Sequence, residues 1–290
     1  MRNGPYRAPV PELVEVEAYR LLAERTVGRM ISRVVAPDAW FLKRGADAAL
    51  LTATLEGARI TATGRVGKLL LLTVEAAANA PGGSPFESRR ADARHRSETQ
   101  LGLRFGMTGR LIVDGRAAVE SLLYSSDRDE PGWDRFALEF ADGGSLRIRD
   151  PRRLGGVELD PDVQRLGPDA RTITRLELRH AFLGTTTPVK ARLLDQSRVA
   201  GIGNLMGDEV LWRARIAPDR PAGSLSANAV RRMHVCIGEV VEMLIERGGS
   251  HLGDLMPERH PGGSCPLDGA PLLSATLGGR TTWWCPRHQR

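Results

Sequence analysis

The sequence predicts an α+β fold in two parts, a strand-rich N-terminal half and a helical C-terminal half that ends in a β-hairpin. Three observations lead to it. Between residues 30 and 148, short apolar runs alternate with turn residues, the pattern of a β-sandwich. From about residue 168 the apolar positions recur at helical spacing. The stretch from Cys265 onward carries paired ligand-type residues on either side of Gly278-Gly279, which reads as a hairpin.

The elements follow in order. Val14, Ala18, Leu21 and Leu22 predict a helix over 15–24, with Gly28 as its stop. Strands are predicted over 30–35, 58–63, 69–74, 101–105, 136–140 and 145–148. Residues 76–100 are rich in Ala, Gly, Ser and Arg and read as a mobile loop between two strands. Its arginines (Arg89, Arg90, Arg94 and Arg96) read as a solvated charge run. Helices are predicted over 189–197, 204–214 and 227–246, with a short turn near 251–255. The expected domains are 11–160 (the sandwich), 161–167 (a linker), 168–256 (the helical domain) and 257–290 (the hairpin), with 1–10 set apart as an extension.

A chain of 290 residues can bury two real cores. Lys and Arg exceed Asp and Glu by 41 to 35, a balance compatible with a polyanionic partner. No apolar run is long enough for a transmembrane span, and the N-terminus lacks the apolar core of a secretory signal, so no membrane partner is expected. Three cysteines (Cys236, Cys265 and Cys285) argue against a disulfide scaffold and for a reducing, cytoplasmic setting. Cys236, in an apolar helical run, reads as core.

Five segments carry candidate chemistry. The first is Pro11-Glu12-Leu13-Val14-Glu15-Val16-Glu17, a proline beside carboxylates at the start of a helix. A free proline amine has a pKa near neutrality and can act as a nucleophile, but an amide nitrogen cannot. Val10 precedes it, and valine's GUG codon also serves as a bacterial start. The expectation is therefore a chain that begins at Pro11. The bland alternative is a proline in a first helical turn, with acids placed to suit the helix dipole.

The second segment is Gly67-Lys68-Leu69, at the start of an apolar strand. The third, Arg104-Phe105-Gly106-Met107-Thr108-Gly109, is a glycine-flanked loop that can expose Met107 as a wedge, although a methionine beside a strand is more often core. Asp150-Pro151-Arg152-Arg153-Leu154-Gly155 is the fourth. The fifth, Arg198-Val199-Ala200-Gly201-Ile202-Gly203-Asn204, joins two predicted helices. Its glycines permit sharp turns, Asn204 can cap the second helix, and the backbone N–H groups there suit a phosphate.

At the C-terminus, Cys265 and Asp268, then Cys285 and His288, have the pair spacing of a zinc ribbon. Two thiolates, an imidazole and a carboxylate can bind one structural Zn ion, the carboxylate making the site harder and weaker. A metal-free hairpin held by Trp283 and Trp284 is the alternative.

Taken together and in this order, these segments resemble the formamidopyrimidine-DNA glycosylase/endonuclease VIII family. That resemblance implies a base-excision repair enzyme, a bifunctional glycosylase and abasic-site lyase. It would remove oxidised bases from damaged double-stranded DNA, purines before pyrimidines, through a Schiff base on Pro11. Glu12 would trade protons with the sugar, and Glu15 would hold the amine or a water. Lys68 would contact phosphate and the damaged nucleotide, while Met107, Arg152 and Leu154 would fill the vacated stack. Lys190, Asn204 and Arg280 would hold phosphates, the last two from a helix–two-turns–helix motif and from a zinc-ribbon-like hairpin. DNA would lie across a basic cleft of a monomer.

Departures from the family pattern are Val14 for proline, Leu154 for phenylalanine, Met206 for tyrosine, and Asp268 and His288 for cysteines. The short segment before Cys265 implies a more open base pocket. If residues 1–10 are retained, the alternative is a damaged- or abasic-DNA binding protein without lyase chemistry. A zinc-ribbon RNA-binding protein is a third reading.

Overall fold

The computed structural model describes residues 10–76, 98–122, 128 and 130–290. It is α+β, and its contacts divide into two compact units: Glu17–Arg65 with Leu69–Pro161, and Met1–Val16 with Val66–Lys68 and Asp162–Arg290. The sequence boundaries placed the segment around Pro11, and Lys68, with the sandwich. By contact, both fall in the unit that carries the helices and the hairpin.

The strand-rich unit holds two sheets. One has five strands in the order Ile31–Val35, Asp134–Phe140, Ser145–Arg149, Arg110–Val113, Arg116–Ala117. The other has four, in the order Arg59–Val66, Leu69–Glu75, Glu98–Arg104, Gly156–Leu159. Alternation decides which face each strand buries: along Asp134–Phe140, Phe136, Leu138 and Phe140 are buried while their neighbours are partly exposed. Leu69–Glu75 is instead buried along nearly its whole length, as its unbroken leucine run suggests.

Residues 98–100, read from sequence as loop, are strand. They pair antiparallel with 73–75 in a continuous ladder, and cross-strand bonding overrides their polar character. Residues 77–97 of that segment, with its four arginines, lie outside the described residues. The strands Arg110–Val113 and Gly156–Leu159 were not anticipated, being four residues each and without a clear alternation.

In the second unit the helices are Arg175–Phe182, Val189–Leu194, Asn204–Ala214 and Ala227–Arg247. The first opens on a reciprocal capping box between Thr174 and Glu177, and the last starts at Ser226, whose side chain accepts from the N–H of Ala229. Their apolar faces form one core that also takes in Leu13 and Val14, which explains why the N-terminal segment belongs here. The hairpin Leu273–Leu277 with Arg280–Trp284 turns at Gly278-Gly279, as expected. Among the described residues, no helix is long and apolar enough to cross a membrane.

Candidate active site

Glu12 organises the centre of the site. Its carboxylate is buried and accepts three backbone N–H bonds, from Gly203 at 3.0 Å, Leu205 at 2.9 Å and Met206 at 3.2 Å. These are donors that the start of the Asn204–Ala214 helix leaves without intrahelical partners, so Glu12 caps that helix from 191 residues before Gly203 in sequence. Glycine at 203 makes this possible, because a Cβ there would run into the Glu12 carboxyl carbon. Two expectations change as a result. Asn204 does not cap the helix, and these N–H groups are taken by Glu12 rather than left open for a phosphate. Three of roughly four carboxylate lone-pair sites are used by these amides, so Glu12 fixes the start of the helix.

Glu15 lies one turn further on. Its buried carboxyl accepts the N–H of Glu12 at 2.9 Å and the N–H of Ser250 at 2.6 Å. Burial pushes its pKa up to about 7, outweighing both hydrogen bonds, and the neighbouring Glu12 charge adds to the rise. Ser250 also donates through its hydroxyl to the carbonyl of Val10 at 3.4 Å. Pro11, between Val10 and Glu12, is buried. Sequence reasoning missed Ser250, since a serine after two glycines carries no chemical signal of its own.

Lys68 follows the tight turn at Gly67 and lines a cavity of about 400 Å³ together with Gln196, Gly203, Asn204, Gly278 and Arg280. Burial depresses the Lys68 ammonium below the ordinary lysine value, against the opposing pull of Glu12 and Glu15. Asn204 directs its Nδ2 to the carbonyl of Thr281 at 3.0 Å, which ties the helix start to the hairpin, and Arg280 is exposed at the hairpin tip. Lys68, Asn204 and Arg280 therefore converge on one cavity, in whose lining two cations outnumber one carboxylate, Asp195.

Lys190 does not join them. Its Nζ is fully buried, ion-paired with Asp208, and donates to the carbonyl of Asn204 at 2.8 Å. The expected phosphate contact is corrected here, because an ammonium with no exposure cannot reach a ligand in solvent. Asp208 also accepts from the Arg259 Nε at 2.9 Å and from the N–H of Trp283 at 3.2 Å, so the group locks helix and hairpin together.

The strand-rich unit carries the two wedge loops. Asp150 is fully buried and accepts from the Thr108 hydroxyl, from the N–H of Arg152 at 3.2 Å and from that of Gly155 at 2.8 Å. One carboxylate thus staples the loop of Met107 to the loop of Arg152 and Leu154. Gly106, at φ +56°, lies against Leu154, where a Cβ would come within 2.6 Å of its backbone. Met107 is partly exposed, and Arg152 and Leu154 are exposed. Tyr19 supports the first loop from below, donating to the carbonyl of Gly109 at 3.1 Å.

At the C-terminus, one donor atom each from Cys265, Asp268, Cys285 and His288 lies within 4.8 Å of all the others. The His288 Nδ1 is 3.7 Å from the Cys265 sulfur and 2.9 Å from an Asp268 oxygen, and Asp268 is 3.4 Å from the Cys285 sulfur. The hydrogen bond to His288 holds the Asp268 carboxyl well below the usual range. Trp212 donates its indole N–H to the Cys265 sulfur at 3.3 Å, and the side chain of Gln289 accepts from the N–H of Cys285 at 2.8 Å. The cluster could hold a metal ion, and its spacing and donor set fit a tetrahedral site.

Residues 10–157 match the family model described as formamidopyrimidine-DNA glycosylase N-terminal domain, and residues 166–255 match its H2TH domain. The chain belongs to the formamidopyrimidine-DNA glycosylase family. The formamidopyrimidine-DNA glycosylase of Symbiobacterium thermophilum is 32% identical over 97% of this chain and 89% of its own length. That of Thermus thermophilus is 32% identical over 97% of this chain and 98% of its own. Among solved structures, the Lactococcus lactis formamidopyrimidine-DNA glycosylase in complex with DNA containing an abasic site matches with a TM-score of 0.75 at 25% identity, over 96% of this chain and 99% of that one. Within the family frame, the structure brings Glu12, Glu15, Lys68, Asn204 and Arg280 into one unit, and Met107, Arg152 and Leu154 into the other.

Proposed function

We propose that this protein is a base-excision repair DNA glycosylase that removes oxidised bases, purines before pyrimidines, from duplex DNA and then cleaves the abasic strand. The observation that carries the reading is the Glu12–Glu15 pair, buried beside Pro11 in the same unit as the cationic cavity of Lys68, Asn204 and Arg280. Family membership, and relatives whose solved complexes contain damaged DNA, support it.

In a chain that starts at Pro11, the secondary amine attacks C1′ of the damaged nucleoside. The glycosidic bond breaks, and its electron pair leaves with the base. Loss of the amine proton and opening of the sugar ring give an iminium on the proline nitrogen. Removal of a C2′ proton then expels the 3′ phosphate by β-elimination, and a second elimination can follow. Glu15 suits the proton transfers, since a carboxyl that titrates near neutrality can hold a proton and release it. Glu12 serves chiefly to fix Pro11 against the helix start. Lys68, Asn204 and Arg280 hold phosphate; Met107, Arg152 and Leu154 fill the gap left by the extruded nucleotide.

Zinc is the metal that fits Cys265, Asp268, Cys285 and His288. Held by these four residues, its contribution would be structural, bracing the hairpin that presents Arg280.

Borohydride trapping on an abasic duplex tests the mechanism. Protein beginning at Pro11 should be trapped covalently, and Pro11→Gly should lose most strand cleavage. Equal trapping of protein that retains residues 1–10, whose Pro11 nitrogen is an amide, would make an internal lysine the nucleophile and end the Pro11 mechanism. One observation favours a second reading: with Val10 in place its carbonyl accepts the Ser250 hydroxyl, and the Pro11 nitrogen is an amide. A chain retained in that form would bind abasic DNA without Pro11 chemistry.

A further inference from the structure

The short turn Ala39–Phe41 buries one of its two rings and exposes the other. Phe41 is fully buried, and a Cβ on Gly155 would lie 3.1 Å from its ring. Trp40 is 68% exposed, and no other tryptophan or phenylalanine among the described residues is as exposed. An indole left in water keeps a large apolar area available for burial against a ligand.

The turn around Trp40 is firmly held. Asp38 accepts the N–H of Trp40 at 3.1 Å and the guanidinium of Arg153 at 2.6 and 2.5 Å. Lys43 donates to the Trp40 carbonyl at 2.5 Å, and its ammonium sits 5.0 Å from the indole centroid. The backbone N–H of Lys43 bonds to the carbonyl of Val157 at 2.8 Å. Through Asp38 the backbone of Trp40 is therefore tied to Arg153, the residue between Arg152 and Leu154.

We propose that Trp40 is a further DNA-binding residue, whose indole stacks on a nucleobase of the strand that Arg152 and Leu154 enter. The proposal rests on the glycosylase reading above. An exposed aromatic side chain on a braced turn, beside a lysine, is a combination that binds nucleobases next to a phosphate backbone. The neighbouring loop also lacks such a face, because Leu154 offers no ring to a base. Trp40 supplies an aromatic surface whose backbone is joined to that loop through Asp38.

The test uses the full chain and a duplex carrying a tetrahydrofuran abasic analogue, which cannot be cleaved, beside its undamaged counterpart. Trp40→Ala should weaken binding to the analogue duplex about tenfold, and Trp40→Phe should restore most of it. Both variants should melt with the parent, since the ring is mostly in solvent. Intrinsic fluorescence of the parent should fall on binding, and by clearly less in Trp40→Phe. Equal affinities for all three proteins overturn the stacking role and leave the glycosylase reading standing. A parent that binds the analogue no better than undamaged duplex overturns both.

Discussion

The carboxylate of Glu12 sits on the backbone of Gly203, accepting its N–H at 3.0 Å in a space that no larger residue at 203 would leave open. Removing that carboxylate strands three buried donors. Glu12→Ala should cost about 3 kcal/mol or more, read from urea unfolding at neutral pH. An unchanged midpoint would mean that water replaces the cap and that the glutamate is not needed for the fold.

Glu15 gives a pH signature. Its folded-state pKa of about 7 lies above the ordinary 4.5, so between those values the native state holds a proton that the unfolded chain has lost. Stability should therefore fall as pH rises from about 4.5 to about 7 and level off above, by an amount on the order of 3 kcal/mol. Unfolding at pH 5, 6, 7 and 8, compared with Glu15→Gln, isolates the effect. Parallel curves for the two proteins would place the titration elsewhere.

Lys190 and Arg280 should separate cleanly. Lys190→Ala leaves Asp208 short of a partner in the core and should lose about 3 kcal/mol of stability, with the salt dependence of DNA binding unchanged. Arg280→Ala should do the reverse, keeping stability and lowering the slope of log affinity against log salt by about 1. A reduced salt slope for Lys190→Ala would return that lysine to the DNA surface.

For the metal cluster, the purified protein should carry one zinc per chain, with release by a chromogenic chelator accelerated at low pH. Asp268→Cys, which restores a third thiolate, should slow that release. Protein without bound zinc, whose melting temperature ignores both added zinc and chelator, would leave the hairpin held by Trp283 and its neighbours alone.

Much of this was legible in the sequence where local pattern and chemistry coincide. The helix Asn204–Ala214 and the Gly278-Gly279 turn lie where spacing and glycines put them. The ligand quartet was readable because metal sites come as short-range pairs, and the structure brings those pairs together. What could not be read are long-range pairings of single polar residues. Nothing near Glu12 in sequence announces Gly203, and nothing near Lys190 announces Arg259. A lysine that faces phosphate and one that is sealed in a buried triad look alike in one dimension. The four-residue strands are hidden for a similar reason, because their ladder partners define them and their composition does not.

Glu12 also bears on how this gene could be recombined. Its capping partners are at residues 203–206, so a cassette cut at the apparent linker near residue 161 would separate a carboxylate from the amides that complete it. Chimaeras between relatives should tolerate exchange only when the segment through Val16 travels with the helical half. The joint that behaves as one inheritable piece is then discontinuous along the chain.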